Sequence, residues 1–494
     1  MFIFVGFFVL SLASYWSIMN NGPVADDWGL MYKVAYIPNS ELWRLFLAQS
    51  PLFVRPIPFF SVWLFYHPFG LNFIPAHFLN VGLHAANAFL LIWLFGKLGV
   101  RYRTGLVASL LFLVTPMGAQ AVSWITGRFD EWVLFFMLIA LGFYASYLGR
   151  GGLWRYAVAM LATIAAWLSK EPSMTMIGLI PALEIIFFLI PPAASQIKPW
   201  RERLRDVLGP ATIRMVILYV LFAAYIAMRY AIMGRLGGAS YVPLIGKPSL
   251  VAMWQSIKTF LAPLDDLESS RETTRLLAGY VGALYTLSLG LVILRWKRAP
   301  LTARRGWLFT AALFIFSLVP IYAYIFMAGF AGGLGYSRMF YISYAAFISL
   351  MVIGLLEFGW RSYLWQTGVL AALLVLVPIF MTGLYRNNRV WENQATVSYT
   401  IASQMRVELP DPPSGARLYF RNVPRLEGGH IFASALPETV HLIYGRRDLK
   451  AFYVDPDPAL GRFFRNSAAS ENKGYLFAFD WSRMQLLLLR GPQE

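Results

Sequence analysis

Between two long apolar runs lies Ala121-Val-Ser-Trp-Ile-Thr-Gly-Arg-Phe-Asp-Glu-Trp132, which holds Arg128, Asp130 and Glu131. Charges placed so close to lipid-compatible sequence are costly and usually mark a site or a pathway. If a helix begins near Phe129, Arg128 and Glu131 lie about three residues apart on one face. Asp26-Asp27-Trp28 adds a carboxylate pair, which suits a general base beside a second acid or the ligation of a hard divalent cation. Ser169-Lys170-Glu171-Pro172 breaks two apolar runs, and Arg229-Tyr230 ends another. The stretch Gly332-Gly-Leu-Gly-Tyr-Ser-Arg-Met-Phe-Tyr341 brings Arg338 and Tyr341 to the expected start of a helix. An arginine there suits a phosphate, because its planar fork is always charged. Each cluster has a plainer alternative. Asp130 and Glu131 are acids favoured by a helix dipole; Asp26 and Asp27 are a solvated doublet. Lys170 and Glu171 neutralise one another, and the arginines snorkel to the interface.

The rest of the chain has to place these groups. Of 494 residues, 58% are hydrophobic and 14% charged, and mean hydropathy is +0.56. Runs of roughly 20 apolar residues, enough to cross a bilayer, recur up to about residue 385. Eleven transmembrane helices are expected, over 2–19, 74–96, 104–121, 132–148, 154–168, 173–191, 211–231, 277–294, 307–328, 339–356 and 364–384. Phe2–Trp16 has no positive flank before it and reads as a first span rather than a removed signal. The chain has no cysteine, which leaves no thiolate nucleophile or disulfide.

The net charge of +17 is a topology signal before it is anything else. With a cytoplasmic N-terminus, the inside loops 97–103, 149–153, 192–210, 295–306 and 357–363 collect Lys97, Arg101, Arg103, Arg150, Lys198 and further basic residues. Asp26, Asp27, Glu41, Asp130, Glu131, Glu171, Asp265, Asp266 and Glu268 fall outside. This is the positive-inside pattern, and it argues against a nucleic-acid partner. In the first outside loop, Ser40–Gln49 and Pro56–Phe65 read as short interfacial helices. Residues 386–494 form a second unit, a small extracytoplasmic α/β domain. Its apolar runs are Ala416–Phe420, His441–Tyr444, Lys450–Val454, Gly474–Phe479 and Met484–Leu489, with turns at Asp411-Pro-Pro-Ser-Gly415 and Asp455-Pro-Asp-Pro458.

His77, Asn80, His84 and Asn87 recur at helical spacing inside the second span. His77 and His84 rise about 10 Å apart along a helix, too far to share one ion easily, so an interhelical hydrogen-bond seam is expected. Glu184 is an intramembrane acid with no partner evident in the sequence. One membrane face thus gathers acids for base chemistry and cations for a phosphate, as transfer from a lipid-linked phosphate donor requires.

Several blocks carry a family resemblance. Arg55-Pro-Ile-Pro-Phe-Phe-Ser-Val-Trp63 and Gly70-Leu-Asn-Phe-Ile-Pro-Ala-His-Phe-Leu-Asn80 through Asn87 come first. Thr115-Pro116, the Ala121–Glu131 block, Leu168-Ser-Lys-Glu171, Met228-Arg-Tyr-Ala-Ile-Met-Gly234 and Ser337-Arg-Met-Phe-Tyr-Ile-Ser343 follow in order. The set, over roughly residues 1–345, resembles the O-mannosyltransferase-like membrane proteins that often carry tetratricopeptide repeats. The resemblance implies the GT-C glycosyltransferase fold, shared with the protein O-mannosyltransferases, and a polyprenyl-phosphate sugar donor. It implies Asp26 as general base with Asp27 as its acidic neighbour. Arg128 with Asp130 or Glu131, Lys170 with Glu171, and Arg338 match its further motifs. The repeats are absent, and the α/β unit stands in their place.

The expected architecture is therefore an α-helical polytopic membrane protein of GT-C type, with residues 1–385 as the catalytic unit. It sits in a prokaryotic inner (plasma) membrane, with its site and C-terminal domain on the extracytoplasmic face. The expected activity is inverting transfer of a sugar from polyprenyl phosphate to a hydroxyl acceptor on a glycan, lipid or protein. Asp26 and Asp27 are the catalytic acids. Arg128, Asp130, Glu131, Lys170, Glu171, Arg229, Arg338 and Tyr341 bind the donor phosphate and substrate. No cofactor is required; a divalent cation, Mg or Mn, would use Asp26, Asp27 and Asp130. The rival readings are a lipid-linked sugar transporter or flippase, and a polysaccharide polymerase or ligase with a lipid-diphosphate donor.

Overall fold

Apolar helix length sets the architecture. The structure is a computed structural model that describes residues 2–46, 53–191, 200–234, 250–264, 270–325, 334–423, 425–426, 429–430, 432, 435–454, 474–480 and 482–491. Lys198, Asp265, Asp266, Glu268 and the turn at 455–458 lie outside them. Helix α1 (Phe2–Ser14) leads into α2 (Asp26–Ala35) and α3 (Pro56–Phe69). Next come α4 (Ile74–Leu98), α5 (Tyr102–Leu113), α6 (Ala119–Ser123) and α7 (Arg128–Arg150). The chain continues through α8 (Leu153–Trp167), α9 (Met176–Leu189), α10 (Trp200–Met233) and α11 (Leu250–Leu261). Then follow α12 (Arg271–Arg295), α13 (Leu301–Ile325), α14 (Tyr341–Glu357) and α15 (Tyr363–Glu408).

Each of the eleven expected spans has an apolar helical counterpart. Among the described residues, eight helices are long and apolar enough to cross a membrane, or nine if the pair Tyr102–Leu113 and Pro116–Ser123, bent by 54°, is one span. Pro116 sits at that bend, where it cannot donate a helical hydrogen bond. The chain is thus a polytopic integral membrane protein. Every residue of α14 is buried, as befits a helix apolar all round at the centre of a bundle. Gly142 lets α7 approach α4: a Cβ there would run into the Trp93 ring.

The bundle has two chemically distinct ends. At one, the Arg101 Nε donates to both Glu357 carboxylate oxygens at 3.0 Å, and Trp296 stacks on Phe358. Arg305 there donates to the Ile190 carbonyl at 3.0 Å. Three of the basic loops therefore meet on one side. Within the bundle, Glu184 has partners after all. It accepts from Tyr144 Oη at 2.6 Å and from Arg214 Nε and Nη2 at 2.6 and 3.0 Å. A carboxylate in such a place persists because a guanidinium 30 residues on compensates it. Replacing Arg214 by Met should destabilise the protein by about 3–5 kcal/mol, because one charge of a buried pair is left alone. Adding Glu184→Gln, which keeps the Tyr144 hydrogen bond, should restore most of the loss. An unchanged thermal midpoint in detergent for Arg214→Met would remove the pair from the stability argument.

The C-terminal segment begins later than its composition suggests. α15 runs through Tyr385 without a break and ends at Glu408. Its C-terminal half buries Asn387, Asn388, Gln394, Val397, Ser398, Ile401 and Met405, a helical stripe hidden by polar residues around it. Then come β1 (Arg417–Arg421), the short pair β2 (Arg425–Leu426) and β3 (Gly429–His430), and α16 (Leu436–Tyr444). Finally come β4 (Lys450–Tyr453), β5 (Tyr475–Asp480) and β6 (Gln485–Arg490). The main sheet runs β4-β1-β5-β6, with β1 parallel to both neighbours and β6 antiparallel to β5. The apolar run His441–Tyr444 is the end of α16. Pro437 occupies its first turn and Gly445, at φ +67°, its C-terminal cap, which are the usual helix bounds.

This sheet is not an appendage. Trp28, Met31 and Val34 of α2, Phe59 of α3, and Ile401 and Met405 of α15 share one core with Leu418, Phe420, Leu436, Val440 and Phe477. Burial of such side chains is worth about 1.5–3 kcal/mol each. That fixes α2 to the sheet.

Candidate active site

The site begins at a strained turn. Asp27 N–H donates to the Val24 carbonyl at 3.1 Å, and Ala25 between them has φ 51° and ψ −115°. These are the angles of the first central residue of a type II′ turn, where glycine is usual. An alanine held there costs on the order of 1–3 kcal/mol and persists only where its surroundings demand it. The demand is visible. Asp27 is 1% exposed, and its carboxylate accepts from Val24 N–H at 3.0 Å and Thr126 N–H at 2.9 Å. Burial pushes the Asp27 carboxyl up to about 7, against the pull of those two bonds and of Arg128. Asp26, the residue before it and the first of α2, is exposed. One carboxylate latches the backbone; the other faces outward.

Thr126 connects this turn to the Ala121–Trp132 block. Trp124 Nε1 donates to Val24 O at 3.0 Å, a second tie. Arg128 opens α7 and is wholly buried. Its Nε donates to Ile125 O at 2.8 Å and its Nη2 to Ala76 O at 3.4 Å, while Nη1 has no partner. Asp130 binds Lys170 Nζ with both oxygens, at 2.8 and 2.6 Å.

Lys170 and Glu171 do not neutralise one another. Glu171 instead accepts from Arg55 Nε and Nη2 at 3.0 and 2.6 Å and from Arg229 Nη1 at 3.1 Å. Lys170 lies in the break between α8 and α9, and burial lowers its ammonium to about 8. Asp130 pulls the other way; the nearby Arg338 and Arg55 guanidinia add to the lowering. Arg338, just ahead of α14, has its backbone N–H on Gln120 Oε1 at 3.0 Å and its guanidinium 4.2 Å from the Trp124 ring centroid. Trp391 stacks against that ring at 5.9 Å. The Arg338 Nε has no hydrogen-bond partner.

Seven of the expected residues thus form one continuous assembly: Asp27, Arg128, Asp130, Lys170, Glu171, Arg229 and Arg338. Asp26 stands at its rim. Glu131 and Tyr341 lie deeper. Tyr341 Oη contacts His84 Nδ1 at 2.8 Å and accepts from Asn87 Nδ2 at 3.3 Å, and Asn87 Nδ2 also donates to Glu131 O at 3.0 Å. Both Glu131 carboxylate oxygens are buried without a partner.

The His77–Asn87 stripe is an interhelical seam. His77 Nε2 meets Asn21 O at 3.0 Å, Asn80 donates to Val122 O and Trp124 O at 2.9 and 3.0 Å, and His84 Nε2 meets Leu113 O at 2.9 Å. Among the described residues, no group of three or more His, Asp or Glu is placed to hold a metal. Asp27 and Asp130 spend both oxygens elsewhere.

Arg55, Gln120 and Trp124 received no role from the sequence. Arg55 precedes Pro56 at the start of α3 and reaches Glu171 across 116 residues. Its sequence signals are its place at the head of the Arg55–Trp63 block and its positive charge in the loop between α1 and α4.

Comparison with known proteins returns no matching family model and no matching curated protein. Among solved structures, the chain is similar to the crystal structure of ArnT from Cupriavidus metallidurans bound to undecaprenyl phosphate. Identity is 12% and TM-score 0.49, over 97% of this chain and 93% of that one. The apo state of the same protein gives 12% and 0.48 over the same shares.

Proposed function

We propose that this chain is an inverting membrane glycosyltransferase of GT-C type. It moves a monosaccharide from a polyprenyl phosphate to a hydroxyl acceptor at the outer face of a prokaryotic inner membrane. The observation that carries this reading is an outward carboxylate, Asp26, fixed by the Asp27 latch to a cation-rich cluster at the acid-bearing end of an apolar bundle. Arg55, Lys170, Arg229 and Arg338 bring four positive charges; Asp130 and Glu171 return two negative ones. Within this group cations outnumber carboxylates, and Arg338 has no carboxylate partner among the described residues; Arg128 with Asp27, and Asp26 at the rim, stand outside this tally.

The chemistry uses that excess. A sugar ester of polyprenyl phosphate carries one negative charge, and the phosphate that leaves carries nearly two. Asp26 takes the proton of the acceptor hydroxyl as its oxygen attacks the anomeric carbon from the face opposite the phosphate. The C1–O bond breaks with its electron pair passing to the phosphate oxygen. Cations held in place beforehand therefore bind the transition state more tightly than the donor. Lys170 and Arg338 contact the phosphate. Glu171 holds Arg55 and Arg229 behind them, and Arg128, with its spare Nη1, anchors the opening of α7. Glu131 and Tyr341 line the inner wall.

The test is transfer itself. Purified protein should move sugar from a polyprenyl-monophosphate donor to a hydroxyl acceptor with inverted anomeric configuration, read by NMR of the product. Transfer from lipid-diphosphate donors alone, or lipid movement across vesicles without any transfer, would replace this reading by the polymerase or the flippase.

Lys170 also predicts a pH dependence. Its pKa is lowered to about 8, so the free enzyme loses this cation as pH rises through 8, well below the usual lysine range. kcat/KM reports the free enzyme and should fall on the alkaline side with a midpoint near 8. In Lys170→Arg that limb should move beyond the measurable range. A limb unmoved by the substitution belongs to another group.

A further inference from the structure

The opposite end of the bundle holds a cavity of about 480 Å³ that the reaction does not use. Its walls come from the ends of α4, α7 and α9 and the starts of α5 and α13. Lys97, Arg150 and Arg305 line it together with Trp93, Tyr102 and Phe187. It opens beside exposed Tyr102 and Arg150. Among the described residues, no carboxylate pairs with any of the three cations.

The plain role of these cations is to offset helix C-termini. Lys97 and Arg150 sit in the last turns of α4 and α7, and Arg305 Nε donates to Ile190 O at the end of α9. Each terminus carries roughly half a negative charge. Three termini against three full cations leave about one and a half positive charges facing the cavity. Arg305 is 6% exposed, and its guanidinium carbon lies over Phe187, 4.7 Å from the ring centroid. Lys97 Nζ lies 5.3 Å from the centroid of Trp93. Both rings hold the cations in place and give the cavity an apolar wall.

We propose that this cavity is a phosphate-binding site at the basic end of the bundle, separate from the active site. A single phosphate diester matches its charge. The volume exceeds that of the phosphate alone, and the Trp93 and Phe187 walls suit the glycerol and first acyl carbons of an anionic phospholipid. Tyr102 stands at the mouth, where interfacial tyrosines sit in membranes.

The experiment uses the full chain in phosphatidylcholine nanodiscs containing phosphatidylglycerol, with native mass spectrometry of the lipid retained after extraction into detergent. Each cation at a lipid headgroup contributes on the order of 5-fold in affinity. Wild type should retain phosphatidylglycerol in preference to phosphatidylcholine, and Lys97→Gln with Arg305→Gln should reduce that retention on the order of 25-fold. Arg150→Gln, at an exposed position that folding tolerates, should reduce it several-fold and keeps the test informative if the double variant does not fold. Inorganic phosphate is the second probe. Its binding with the same dependence on Arg150 and Arg305, without retained phosphatidylglycerol, supports the phosphate site and assigns it to a free phosphate. Equal retention of the two lipids by wild type, with no inorganic phosphate bound, overturns the proposal. So does phosphatidylglycerol retention that all variants share.

Discussion

Asp26→Asn should fold normally, bind donor with unchanged affinity, and turn over ~10²–10⁴-fold more slowly, the usual loss for a general base. Asparagine keeps the size and polarity of the side chain but cannot accept the acceptor's proton. Asp26 is exposed, so its replacement disturbs no buried bond. Asp27 provides the contrast. It bonds two backbone N–H groups, of Val24 and Thr126, and asparagine can serve only one of them. Asp27→Asn should therefore lower stability as well as turnover, and a thermal scan separates the two effects. Its burial has a further sign. A carboxyl raised to about 7 in the folded protein contributes stability that is full below the unfolded value and lost as pH rises through 7. The backbone bonds limit that loss without reversing it. Near-normal turnover in both single variants and in the double variant would end the mechanism.

The second large effect is expected at Arg338. Among the described residues its guanidinium packs on the Trp124 ring and its Nε has no hydrogen-bond partner, so that Nε is available to a phosphate. Charge-assisted bonds of this kind are worth about 1.5–3 kcal/mol, and Arg338→Ala should weaken donor binding roughly 10- to 100-fold by calorimetry. Lysine should recover only part, because it restores the charge but neither the fork nor the flat face against the indole. Full recovery with lysine would reduce the role of Arg338 to charge alone. Unchanged affinity in the alanine variant would take Arg338 out of the site.

What the sequence made legible, and what it did not, follows the range of the interactions. Apolar runs report their own helices, since hydrophobic length is a local property. The strands at Arg417, Lys450, Tyr475 and Gln485 were equally local. Ionic partnerships were not. Arg55 with Glu171, Lys170 with Asp130 and Arg214 with Glu184 span from 30 to 116 residues, and no periodicity announces such pairs. The expectation that polar clusters would converge came from topology, which sorts charges by side but does not say who pairs with whom. The continuation of α15 past Tyr385 was concealed by its composition. Arg386-Asn-Asn-Arg389 is polar where the apolar run ends, yet Asn387 and Asn388 are buried there, donating to Pro116 O and Ser14 O.

That helix has a mechanical meaning. With 46 residues it is a rod about 69 Å long at 1.5 Å per residue, fastened at three heights. Asn388 grips the end of α1 through Ser14 O at 3.2 Å. Ser398 joins Pro23 O and the Trp28 indole at 2.7 and 2.9 Å. Near its tip, Gln404 and Glu408 take backbone N–H groups of Leu486 and Leu488. The turn that carries Asp26 is thus clamped between the rod and the sheet. Local opening of the turn is therefore expected to accompany detachment of the sheet, with the amides of both exchanging with solvent together in a hydrogen-exchange measurement. On the mechanism proposed above, the sheet acts as a splint for Asp26, and a partner seated against the sheet is expected to stiffen the turn from a distance.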